Sequence, residues 1–98
     1  MSVPPRPLVR ITLVQTSGCH LCDEARTILA ELAKDHPIEV DVLGAQSDVG
    51  RYLVKRHRPP LAPLVLVEDV YFSAGRLPRR KLERTLTALS TRDARVAG

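Results

Sequence analysis

Apolar positions along this chain change period several times, and each change marks an element. The run "LVRITLVQ", Leu8 to Gln15, is rich in branched apolar residues with few polar interruptions, which predicts a buried strand. "TSG" breaks it. From Cys19 to Lys34 the residues Leu21, Cys22, Ala25, Ile28, Leu29 and Leu32 recur at three- and four-residue steps, the period of an amphipathic helix. Asp23 and Glu24 fall at its start and Lys34 at its end, in keeping with the helix dipole. After Pro37, "IEVDVL" alternates, with Ile38, Val40 and Val42 on one side and Glu39 and Asp41 on the other, as in a half-exposed strand. Gly44 ends it.

Ser47 or Asp48 can cap a second, shorter helix that runs to about Arg58. "RPPLAP" is a rigid non-helical connector. "LVLV" (Leu64 to Val67) and "VYFSA" (Val70 to Ala74) read as strands joined at Glu68-Asp69, a poorer hairpin turn than Asn-Gly, so that a longer or bulged join is expected. Gly75 breaks the pattern, Pro78 suits the first position of a helix, and Leu82, Leu86 and Leu89 form that helix's apolar stripe. Residues 1–7, with three prolines, read as a loose arm, and the tail from about 91 to 98 as frayed.

The predicted order is β-α-β-α-β-β-α. A strand, helix and strand form a right-handed crossover with parallel strands, whereas the last two strands are close enough for an antiparallel hairpin. A four-stranded mixed sheet flanked by helices is the expected α/β solution. At 98 residues the chain is one domain, able to bury roughly two thirds of its unfolded surface. Only 3% of residues are aromatic, so aliphatic side chains must fill the core.

Composition narrows the function classes. The formal net charge of +4 comes mostly from arginines dispersed among acidic residues until "GRLPRRKLER". With few aromatics to stack bases and no recognition motif, this reads as a solvated helix face and not a nucleic-acid surface. No apolar run approaches the roughly 20 residues needed to cross a bilayer, and the first ten residues lack the apolar stretch of a secretory signal. The expected setting is the cytoplasm, with neither a membrane nor a nucleic acid as partner.

The only cysteines, Cys19 and Cys22, stand three positions apart in "TSGCHLCDEA". A bridge between them closes too small a loop to stabilise the fold. Cys19 falls where the strand gives way to the helix, and unbonded N–H groups and the positive helix end stabilise a thiolate there. Cys22 lies one turn along the same face. This spacing permits a two-step exchange, in which Cys19 attacks a disulfide and Cys22 then displaces the product. Asp23 and Glu24 add negative charge nearby, so a moderately lowered Cys19 pKa is expected. Two buried core thiols are the structural alternative. A zinc site would need two further ligands, and His20, His36 and His57 show no ligand-like spacing.

The strand, the C-x-x-C at a helix start and "LAPLVLVEDVYFSAGRLPRRKLERTL" together resemble the glutaredoxin branch of the thioredoxin fold, from about Val9 to Leu89. The likeness is strongest to small bacterial glutaredoxin-like proteins in which "CHLCDEA" replaces C-P-Y-C. The resemblance implies a thioredoxin-like fold and a cis-proline beside the redox pair, for which Pro63 is the candidate. It also implies that the backbone of Ala62 pairs with an extended substrate segment.

The chain departs from that pattern in two places. Thr16 stands where a basic residue precedes the first cysteine, and "SAGRLP" lacks the aspartate of the turn before the last helix. The anchors for glutathione's charged ends are therefore missing or altered, although Arg76 could hold a carboxylate.

The sequence-level expectation is a monomeric thiol-disulfide oxidoreductase with Cys19 as nucleophile and Cys22 as resolving thiol. His20, Leu21, Ala62, Pro63 and Arg76 would line the substrate site. Its partners would be a protein or small-molecule disulfide and a thiol reductant or reductase, with no resident cofactor or metal. The alternatives are a non-catalytic interaction module on the same fold and a metal or iron–sulfur carrier.

Overall fold

The computed structural model describes residues 8–97, with side chains through residue 89. The elements follow in the expected order: β1 (Val9–Gln15), α1 (His20–Leu32), β2 (Ile38–Gly44), α2 (Asp48–His57), β3 (Leu64–Val67), β4 (Val70–Ala74) and α3 (Arg79–Ala97). They build one four-stranded sheet of order β2-β1-β3-β4. β1 and β2 are parallel, with Val9 opposite Ile38 and Gln15 opposite Gly44. β3 runs antiparallel to both β1 and β4.

Strand alternation divides the core between the two faces of the sheet. Ile11, Leu13, Val65 and Val67 turn to one side, where Ala25, Leu29 and Leu32 of α1 and Leu82 and Leu86 of α3 cover them. Val14, Leu64 and Leu66 turn to the other, where Leu53 and Val54 of α2 partly cover them. Two helices on one face and one on the other, around this mixed sheet, make a thioredoxin-like α/β fold.

Local departures from the sequence pattern have physical causes. Helix α1 ends at Leu32 with Ala33 as its C-cap, so Lys34 lies beyond the last turn. Pro37 disfavours helical backbone at His36, and the amides of Asp35 and His36 turn back to the carbonyl of Leu32. At the other end only Asp23 falls in the first turn, and Glu24 in the next. On β2, Ile38 and Val40 join the core, but Val42 is exposed at the sheet's edge.

Glu68 and Asp69 both take left-handed backbone, with φ of 52° and 66°, as a two-residue primed hairpin turn requires. The bulge lies further up the hairpin, where the register shifts between Val65 and Leu66. Glu68 is tied to β1 twice, because its carboxylate accepts from the Arg10 amide at 2.6 Å and its amide donates to the Arg10 carbonyl at 2.8 Å.

Ser47, not Asp48, caps α2, its hydroxyl accepting from the Gly50 amide at 3.0 Å. Pro78 stands at the head of α3, its carbonyl accepting from the Leu82 amide. The backbone of α3 is helical through Ala97, past the residue near 91 where the sequence suggested fraying. The expected N-terminal arm, residues 1–7, lies outside the described residues.

Candidate functional site: a disulfide at a helix N-terminus

Strand β1 ends at Gln15, and Thr16, Ser17 and Gly18 carry the chain over the edge of the sheet into α1. Gly18 has φ of +63°, a left-handed conformation that glycine adopts without the penalty of a β-carbon. The sharp turn it permits delivers Cys19 to the N-cap of α1, with extended backbone. There the Cys19 sulfur accepts from the Cys22 amide at 3.0 Å, taking the place that a serine or aspartate oxygen occupies in ordinary caps. Cys19 and Cys22 are joined as a disulfide, with their Cα atoms 5.2 Å apart. Their surroundings differ: Cys22 is 1% exposed, whereas Cys19 is only partly buried.

The remaining candidates gather at the same end of the sheet. The Ala62-Pro63 bond is cis. Pro63 is buried and directly precedes Leu64, the partner of Val14 near the end of β1. Its carbonyl accepts from the Gly75 amide at 3.0 Å, which ties the start of β3 to the turn after β4. Arg76 follows that turn. It lies 3.9 Å from the Glu24 carboxylate of α1, so a carboxylate of the chain itself already faces this cation. His20 is exposed at the first position of α1 and Leu21 is half-buried beside it.

The pattern of apolar positions overlooked other groups here. Leu61 is 61% exposed, yet its side chain packs over Gly75, where a β-carbon would come within 3.1 Å of it. Gln15, Thr16 and Ser17 at and after the end of β1, with Gly44, Ala45 and Gln46 at and after the end of β2, line a concavity of about 240 Å³. The available signal was positional: these residues sit at the carboxyl ends of two parallel strands, where open α/β sheets bind ligands.

Electrostatics at the start of α1 are balanced within the chain. The Arg26 guanidinium reaches both Asp23 and Gln15. Further along, Arg79 at the start of α3 bonds Glu31 of α1, and this hydrogen bond raises the arginine further above its ordinary value. Among the described residues no three His, Cys, Asp or Glu side chains gather as a metal-binding group, and no helix is long and apolar enough to cross a membrane.

The chain matches no family model and none of the curated protein sequences compared with it.

Proposed function

We propose that the protein is a dithiol–disulfide oxidoreductase of glutaredoxin-like type, with Cys19 as nucleophile and Cys22 as resolving thiol. The observation that carries this reading is the unequal placement of the two sulfurs at the head of α1: Cys19 reaches solvent at the N-cap, and Cys22 is closed off behind it. An attacking thiolate must meet its substrate, whereas a resolving thiol need only meet its neighbour.

In the reduced protein the α1 amides and the positive helix end favour the Cys19 thiolate. That thiolate bonds to one sulfur of a substrate disulfide, the substrate S–S bond breaks, and the departing thiolate takes a proton from solvent. Cys22, its proton released to solvent, then attacks the Cys19 sulfur and expels the second substrate thiol. Two electrons have moved from the protein to the substrate, leaving the Cys19–Cys22 disulfide. A reducing thiol system returns them, and no resident cofactor is required. The chemistry suits the cytoplasm, where such a pair is re-reduced continually. In this reading His20 and Leu21, next to Cys19 in the chain, and the cis Ala62-Pro63 step before β3 would line the substrate site, with the Ala62 backbone as the contact for a protein substrate.

Alkylation with iodoacetamide across a pH series, mapped by mass spectrometry, tests the assignment. Cys19 in the reduced protein is expected to label rapidly well below the free-cysteine pKa of about 8.5, with Cys22 slow. The Cys22→Ser variant is expected to accumulate a mixed disulfide on Cys19. Equal, sluggish labelling of both thiols, with no trapped adduct, would sink this reading.

A further inference from the structure

After β1 the chain crosses to the sheet face covered by α1, and after β2 to the face covered by α2. A crevice outside the carboxyl ends of strands whose connections diverge in this way is the general ligand position of open α/β sheets. Here it holds the concavity bounded by Gln15, Thr16, Ser17 and Gln46. Thr16 precedes Cys19 by three residues, so the chain itself keeps their Cα atoms within about 11 Å. A group several atoms long bonded through sulfur to Cys19 has this concavity within reach.

The lining carries no charged side chain and mixes apolar surface with hydrogen-bonding groups. Two primary amides and two hydroxyls can each donate and accept hydrogen bonds. Arg26, the cation that touches this lining, spends its guanidinium on Gln15 and Asp23. The positive ends of the two adjoining helices are answered by Asp23 in the first turn of α1 and Asp48 in that of α2. After the turn that follows β4, Arg76 faces Glu24. A ligand carboxylate can only accept, and among the described residues the two cations named here, Arg26 and Arg76, already face carboxylates of the chain. A neutral polyhydroxylated group, which donates and accepts, matches the lining. At about 240 Å³ the space falls below the roughly 300–1,000 Å³ of sites for drug-sized ligands, so the group must be small.

We infer that the Gln15–Thr16–Ser17–Gln46 concavity binds the uncharged, hydroxyl-rich part of a low-molecular-weight thiol, a group of sugar type, while its sulfur exchanges with Cys19. The inference rests on the redox reading above and names the substrate class of that same site. In the step it implies, the Cys19 thiolate takes one half of the disulfide RSSR, and the other half leaves as RS⁻ and is protonated by solvent. The concavity holds the retained R group until Cys22 displaces it as the second thiol.

Three disulfides separate this inference from the reading beneath it: that of 1-thio-β-D-glucose, oxidised glutathione and bis(2-hydroxyethyl) disulfide. Each is mixed with fully reduced protein, and oxidation of the dithiol is followed by stopped flow. The thioglucose disulfide is expected to react about fivefold or more faster than oxidised glutathione, the ratio that one or two well-made hydrogen bonds provide. Thr16→Lys, an exposed substitution that places a cation on the lining, is expected to reverse that preference. Gln46→Ala is expected to lower the rate for thioglucose disulfide relative to bis(2-hydroxyethyl) disulfide. Reaction with bis(2-hydroxyethyl) disulfide together with equal or greater preference for oxidised glutathione would overturn the inference and leave the redox reading standing. No reaction with any of the three would overturn both.

Discussion

Gly50 has no room for a β-carbon, because the carbonyl oxygen of Gly44 occupies the place where one would stand. The same carbonyl accepts from the Ser47 amide at 3.1 Å and the Ser47 hydroxyl at 2.7 Å. The first turn of α2 is therefore folded tightly onto the end of β2, and this junction forms one wall of the concavity at the ends of β1 and β2.

Gly50→Ala is expected to destabilise the protein by roughly 1–3 kcal/mol, as overpacking against backbone does. That loss should appear although alanine gains up to about 1 kcal/mol over glycine inside a helix. Urea unfolding checks it: the midpoint should fall with the slope unchanged. A midpoint that rises would mean the turn can open at little cost.

The hydroxyl of Ser73 is buried on β4 opposite Val65, with no hydrogen-bond partner among the described residues. Removing such a group relieves its desolvation, so Ser73→Ala is expected to stabilise the fold by about 1 kcal/mol. Thermal unfolding is the measurement. A lowered midpoint would show instead that the hydroxyl is satisfied, for example by an internal water.

Asp69 holds φ of 66° in the hairpin turn, a region in which glycine is free of β-carbon strain. Asp69→Gly is expected to stabilise by roughly 0.5–1 kcal/mol. Glu68→Gly should not, because it also removes the carboxylate that bonds the Arg10 amide. Parallel urea titrations of the two variants distinguish them, and equal gains would show that the Arg10 contact contributes nothing.

Arg76 is largely solvated and its Glu24 partner is partly so, and Arg76→Ala is expected to change stability by no more than about 0.5 kcal/mol. Glu24→Gln should matter for exchange instead, since it leaves Arg76 facing no carboxylate. The rate with oxidised glutathione, relative to bis(2-hydroxyethyl) disulfide, is expected to rise about two- to fivefold at low salt. This gain should vanish near 1 M salt, where the screening length is about 3 Å. A ratio that does not move would place Arg76 outside the substrate's reach.

Elements buried on one side were legible from sequence because burial imposes a period. Leu21, Cys22, Ala25, Ile28, Leu29 and Leu32 spelled out α1, and the cysteine spacing placed the two sulfurs, joined as a disulfide, at its start. Features set by distant partners were not. The Glu68-Asp69 turn is held by two bonds to Arg10, and no local propensity reports contacts 58 residues apart. The concavity arises because Gln15 pairs with Gly44 across β1 and β2, and that register exists only once the strands meet. Likewise, Arg76 stood out as a free cation in the sequence, whereas folding sets it against Glu24.

A sulfur atom closes the first turn of α1, and that has a consequence for observation as well as for chemistry. The Cys22 amide, which donates to Cys19 Sγ, senses whatever bond that sulfur makes. A thiolate, a thiol, a mixed disulfide and the internal bridge are acceptors of different strength at the same address. The amide proton of a single buried residue is thus a gauge of the bonding state of Cys19, readable by nuclear magnetic resonance without a label near the sulfur.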